Sequence, residues 1–205
     1  MPDKSYKSPL RDQQAGETRR RIRQAARELF EEAGFVGATI NEIARRAGVS
    51  PATVYSNFES KTGIVSAMLD DLEVASGMDW RIPEMIAEDD ASRSLDLFVA
   101  GNRAVFEMGH VILRAAYDSL GNPEVRALAE VGDAKRRQAS EFLTGRWHRN
   151  GALREGLGPK KASETMWLLS SVEQYLLATE VLGWSGNTYE RWLRQMLREA
   201  LLAPE

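Results

Sequence analysis

The residues best suited to act on another molecule fall between positions 39 and 58, in the stretch TINEIARRAGVSPATVYSNF. Its second half carries Ser50, Thr53, Tyr55, Ser56 and Asn57, with Pro51 between the first two. Hydroxyls, a phenol and an amide are short donors and acceptors of the kind that reach phosphate oxygens and base edges, and the Thr53 methyl could meet a thymine methyl. Lys61 falls in the first turn of the next helical stretch, where its ammonium and the free N–H groups of the helix start could converge on one phosphate. Thr39 offers the same N-terminal geometry to the flanking strand. Arg19, Arg20, Arg21 and Arg23 lie upstream and could add affinity through counterion release. Simpler roles also fit these residues. Thr39 and Ser50 are helix N-caps, Tyr55 could be a partly buried core side chain, and the arginines could form a solvated helix face.

Other chemistries are poorly represented. The chain has no cysteine, and its two histidines, His110 and His148, are far apart in the sequence. That excludes thiolate metal sites and the histidine spacings of zinc enzymes. There is no glycine-rich phosphate loop and no recognisable nucleophile motif. We therefore expect no catalytic residues, metal or cofactor. The net charge of −3 hides an asymmetry: residues 1–65 sum to +3 and the remainder to −6. A basic N-terminal part on an acidic body fits a small DNA-contacting unit attached to something that does not touch DNA. No apolar run approaches the ~20 residues of a membrane span. The first residues lack the apolar segment of a secretory signal. The expected location is the cytoplasm, with no membrane partner.

Helical periodicity dominates the elements that must position these residues, and strand signals are nearly absent. The expected fold is all-α, with about nine helices. Residues 1–17 read as a flexible arm. A first helix over 18–33 puts Ile22, Ala26, Leu29 and Phe30 on one face. Thr39 and Glu42 form a capping box at the start of the second helix. Gly48 supplies the positive φ of a tight turn, and Ser50 caps a third helix with Pro51 at its first position. Two short helices so joined form a helix-turn-helix, which lays its second helix in the major groove. Residues 77–90 read as a loop or as the frayed end of the fourth helix, 92–120 as two helices broken near Gly109, and 159–182 as one long helix.

Residues ~18–65, in particular AARELFEEAGFVGATINEIARRAGVSPATVYSNFESK, resemble the DNA-binding domain of the tetracycline-repressor (TetR) family of bacterial regulators. The resemblance rests on Gly34-Phe35, Thr39, Ile43-Ala44, Ala47-Gly48-Val49-Ser50, Tyr55, Phe58 and Ser60-Lys61. It implies DNA contacts from Thr39, Ser50, Thr53, Tyr55, Asn57 and Lys61. Asn57, where the family often has histidine, and Thr62-Gly63, where acids are common, depart from the pattern. The resemblance also implies a helical ligand-binding and dimerisation domain, here residues 66–205, and a homodimer on a palindromic operator in double-stranded DNA, released by a small molecule.

For the dimer, the apolar positions of the last two helical stretches are the candidates: Trp167, Val172, Leu176, Tyr189, Trp192, Leu193, Met196 and Leu197. A helix apolar beyond one stripe needs cover on two sides, and a second copy could supply one of them. For the unidentified small-molecule effector, Phe106, His110, Arg114, Tyr117, Trp147 and Trp167 mix aromatic and polar groups as ligand pockets do. Core packing for the tryptophans and a salt bridge for Arg114 are the competing roles. A regulator of the same fold that needs no ligand is the alternative function.

Overall fold

The computed structural model describes residues 9–204. The chain opens with α1, Pro9–Gly37, which buries Ile22, Ala25, Ala26, Leu29 and Phe30 at helical spacing. The helix starts at Pro9, so residues 9–17 of the expected arm are helical; residues 1–8 lie outside the described residues. Gly34, at φ 67° and ψ 176°, kinks its last turn. The kink sets Phe35 against Phe30, with ring centres 5.7 Å apart. Helix α2, Ile40–Ala47, and α3, Pro51–Phe58, follow. The turn between them is a Schellman closure: the Gly48 N–H donates to the Arg45 carbonyl at 3.2 Å and the Val49 N–H to that of Ala44 at 3.0 Å. Gly48 holds φ 64°, a left-handed conformation that favours glycine. Helix α4, Lys61–Ala75, is capped by Ser60 and adds Ile64, Val65 and Met68 to the same core.

The rest of the chain is α5 (Met78–Ala87), α6 (Ala91–Tyr117), α7 (Pro123–Arg149), α8 (Pro159–Leu169), α9 (Val172–Leu176) and α10 (Gly186–Leu201). Three of these differ from the sequence reading. The expected loop over 77–90 is mostly α5, which tolerates Pro83 inside it and buries Met85. The break near Gly109 is absent, and α6 is continuous. Glycine there permits a close helix crossing, since a Cβ would come within 2.4 Å of Leu72 Cδ2 on α4. The single long helix over 159–182 is instead broken at Ser170-Ser171. Asn102 of α6 donates to the Ser170 carbonyl at 3.0 Å, and Ser171 accepts from the Gln174 N–H to start α9. A π-helical turn, Leu177–Val181, then continues α9.

Two apolar clusters result. One joins α1–α4 with Ile112, Ala115 and Val125 from α6 and α7; the other lies within the body around Trp147, Tyr189, Leu193 and Leu197. Among the described residues the only β-pairing is an isolated bridge between Leu153 and Leu202. No helix among them is long and apolar enough to cross a membrane.

Candidate nucleic-acid interface

Helix α3 has two sides with different chemistry. Val54 and Phe58 are buried against α1, α2 and α4. Ser50, Pro51, Tyr55 and Ser56 are exposed, and Thr53 and Asn57 half-buried. Tyr55 keeps 53% of its surface open, which removes the core-tyrosine role. The polar atoms of this face satisfy one another in the free chain. Ser50 Oγ accepts from the Thr53 N–H at 3.1 Å and lies 2.8 Å from the Thr53 hydroxyl. Ser56 Oγ and Asn57 Nδ2 both donate to the Thr53 carbonyl, at 3.0 and 2.8 Å. A partner can take over these bonds without leaving a buried group unpaired, so the exchange is nearly neutral. The face can therefore turn to an incoming acceptor or donor at low cost.

The start of α2 flanks this face. Thr39 is exposed and accepts from the Glu42 N–H at 3.2 Å. The capping box is only half formed, because the Glu42 carboxylate turns to Arg45, at 2.9 and 2.5 Å, rather than back to the helix start. That guanidinium holds the Glu42 pKa below the usual carboxylate range.

The basic residues are more engaged than their sequence spacing implies. Lys61 is half-buried and donates to the carbonyls of Phe35 and Ala38, with its ammonium 4.2 Å from the Phe35 ring centre. Burial pushes its pKa down. It thus fastens the end of α1 beside the α2 N-terminus, a role that the sequence reading, which aimed it at phosphate, did not include. Arg19 donates to the Asn57 carbonyl at 2.5 Å and stacks 4.4 Å over Phe58. Arg21 reaches the Gly48 carbonyl at 3.2 Å. These two clamp α1 to the ends of α2 and α3. Arg20 pairs with Glu17, and Arg23 with Asp71.

The candidate effector residues do not form one group. Phe106 is buried beside Tyr175, with ring centres 5.4 Å apart. His110 Nε2 lies 3.2 Å from Glu180 Oε1, and Arg114 pairs with both Glu180 and Asp118 at 2.5 and 2.8 Å. Arg114 therefore takes the salt-bridge role. Glu180, the acceptor common to both, was not singled out from sequence; a lone acid within an apolar stretch was the available signal. Tyr117 is 38% exposed at the end of α6. Trp147 lies elsewhere, fully buried, donating from Nε1 to Ser94 Oγ at 2.8 Å. Trp167 packs under Arg137, whose guanidinium is 4.1 Å from its ring centre. Two clefts lie on the outside of the body, one beside Arg194 and Arg198 on α10, the other beside Leu153 and Leu157.

The candidate dimer residues also divide. Leu176, Tyr189, Leu193 and Leu197 are 3% exposed or less, enclosed by their own chain, and have no surface left for a partner. This corrects the sequence reading: one helical stripe is apolar because it faces the chain's own core. Trp167, Val172, Trp192 and Met196 remain half-buried. Leu168, Leu177, Val181 and Leu182, apolar positions of the same 159–182 stretch, are 49–72% exposed.

Against known proteins, residues 22–68 match the family described as bacterial regulatory proteins, tetR family. The chain is 44% identical over 52 residues to the uncharacterized HTH-type transcriptional regulator YvkB of Bacillus subtilis. That match takes in 25% of this chain and 28% of YvkB, well under two thirds of the relative's length. Two solved structures resemble nearly the whole fold. NalD, the secondary repressor of the MexAB-OprM multidrug efflux pump in Pseudomonas aeruginosa, aligns with TM-score 0.75 at 24% identity over 94% of this chain and 100% of its own. A putative transcriptional regulator from Saccharomonospora viridis in complex with choline aligns with TM-score 0.73 at 20% identity over 92% of this chain and 100% of its own. At such identities the likeness is one of fold. The match to the tetR family of bacterial regulatory proteins is thus confined to residues 22–68, the stretch that holds the helix-turn-helix.

Proposed function

We propose that this chain is a transcriptional regulator: a homodimer that holds a palindromic operator in double-stranded DNA as a repressor and releases it when a small molecule binds the helical body. The observation that carries the reading is the exposed polar face of α3, set behind a glycine turn and anchored by Val54 and Phe58. Such a helix fits the major groove, with Thr53, Tyr55, Ser56 and Asn57 toward base edges and Thr39, Ser50, Pro51 and Lys61 toward phosphates.

The dimer is supported by exposed apolar side chains, Leu168 on α8 and Leu177, Val181 and Leu182 on and just after the π-helical turn that continues α9. Neighbouring exposed apolar groups mark an interaction surface. A two-fold dimer would read half-sites ~34–36 Å apart or a multiple of that. Effector release is supported by analogy with the choline-bound neighbour and the repressor NalD. An effector moves the equilibrium only by its differential affinity for the DNA-bound and free states.

A second reading, a regulator of the same fold that needs no ligand, is favoured by the tight packing of Phe106 and Trp147 and by the ion pairs that occupy His110 and Arg114. Selection of bound duplexes from a random pool tests the DNA reading; we expect enrichment of a palindrome carrying two chains per duplex. Enrichment of no sequence would contradict it. Titrating metabolites into the operator complex then separates the two readings: release by one of them supports the first, and indifference to all of them the second.

A further inference from the structure

The turn between α3 and α4 is strained, and the residue at its centre carries a charge that opposes DNA. Only Glu59 and Ser60 separate the two helices. The Ser60 N–H donates back to the Phe58 carbonyl at 2.6 Å, and Glu59 between them holds φ 62° and ψ −39°. This is a three-residue γ-turn of the rare, strained hand. Glu59 is the one non-glycine residue at positive φ among the described residues. A side chain there is disfavoured where glycine would not be. The seating of the helices holds the turn in this form. Phe58 is buried at its start, and a Cβ on Gly63 of α4 would stand 1.9 Å from the Phe58 carbonyl oxygen.

The charge of Glu59 is a second, independent burden. The residue follows the last turn of α3, where free carbonyls carry partial negative charge and a carboxylate is disfavoured. Its N–H donates to the Tyr55 carbonyl at 2.8 Å, which sets it one turn beyond Tyr55 at the end of the exposed face. The side chain is exposed, and no cation pairs with it among the described residues. Lys61, two residues on, gives its ammonium to the carbonyls of Phe35 and Ala38 instead. The end of α3 therefore presents a bare carboxylate beside the face that carries Tyr55 and Ser56. Phosphates that approach this face meet a like charge. Residues that strain the backbone and oppose their local field persist chiefly at functional positions.

We propose that Glu59 limits DNA affinity: its carboxylate repels the backbone of any duplex and weakens binding by an amount independent of sequence. The proposal rests on the DNA reading above and adds to it a contribution of opposite sign. Non-specific binding is almost wholly electrostatic, so a repulsive charge leaves the base contacts of α3 to decide where the chain stays bound.

The test compares wild type, Glu59→Gln and Glu59→Gly as full chains. Each is titrated across a salt series into two fluorescent duplexes of equal length, one A·T-rich and one G·C-rich, and each is melted without DNA. Glu59→Gln keeps the bulk and the strain and removes only the charge. It should bind both duplexes about three- to tenfold tighter at low salt. The gain should shrink as salt rises, because the repulsion is screened. Glu59→Gly should bind tighter as well and melt roughly 2–4 °C higher, because the turn loses its strain. Equal affinity of Glu59→Gln and wild type would overturn the proposal and leave the DNA reading in place. Weaker binding of Glu59→Gln to the G·C-rich duplex would overturn it too, since the carboxylate would then accept from cytosine amino groups. A lower melting temperature for Glu59→Gly would show that the glutamate steadies the turn, contrary to the proposal. Binding of neither duplex by wild type or either variant at low salt would instead remove the DNA reading itself.

Discussion

The helix-turn-helix and the helical body place their polar groups in opposite ways. On α3 the polar atoms lie outside and satisfy each other over three or four residues, as Ser50 does with Thr53 and Asn57 with the Thr53 carbonyl. In the body the polar atoms of interest lie inside, and some, such as Tyr189 Oη and Trp167 Nε1, are satisfied by nothing in the chain. The first arrangement suits a surface that meets a partner ready-made in solution. The second belongs to the packed interior of one chain. The difference also governs cost: exchanging an exposed local bond is nearly neutral, whereas disturbing a buried group costs the full desolvation penalty.

Substitutions can sharpen or break this contrast. The largest effect is expected at Trp147, fully buried and bonded to Ser94. Trp147→Ala should cost about 3–5 kcal/mol in a denaturant titration. A loss below about 1 kcal/mol would mean that the body is not a packed core. Next is Gly63, where a Cβ would meet the Phe58 carbonyl oxygen at 1.9 Å, a backbone atom that cannot step aside. Gly63→Ala should force α3 from α4 and cost about 1–3 kcal/mol, with weakened duplex binding. Unchanged binding in that variant would show that the seating of α3 on α4 does not matter to DNA. Lys61→Ala should cost about 1 kcal/mol of stability, because two carbonyls lose their donor. It should also weaken all duplexes alike and reduce the salt slope by about 0.9, the signature of one phosphate. An unaltered slope would leave Lys61 only its role at the end of α1. The smallest effect is at Thr53. Thr53→Ala should relax preference at one base position by about 1 kcal/mol, seen by comparing operator variants; an equal loss on every duplex would mean that Thr53 does not read a base.

How far each region is legible in the sequence follows from the same contrast. Thr39, Gly48, Ser50 and Pro51 announce the hairpin because caps and turns depend on neighbours in the chain, and the structure has each in that role. What escaped was tertiary. Gly109 reads as a helix breaker until Leu72 is placed against it, and the Ser170-Ser171 break depends on Asn102, 68 residues away from Ser170. Periodicity marked Leu176, Tyr189, Leu193 and Leu197 as an apolar stripe but could not say whether the covering surface was a second copy or the chain's own core. Lys61, Arg19 and Arg21 show the same limit: charge is visible in sequence, but their carbonyl partners on other elements are not.

The central claim, that the outer face of α3 meets duplex DNA, is tested most directly by titrating the full chain into a fluorescent duplex across a salt series, beside a variant in which Tyr55 and Asn57 are both alanine. The account predicts tight binding at low ionic strength that falls linearly on a log–log plot of affinity against salt, and a clear loss in the variant with its fold intact. No binding at low salt, or binding by the variant equal to that of wild type, would contradict it.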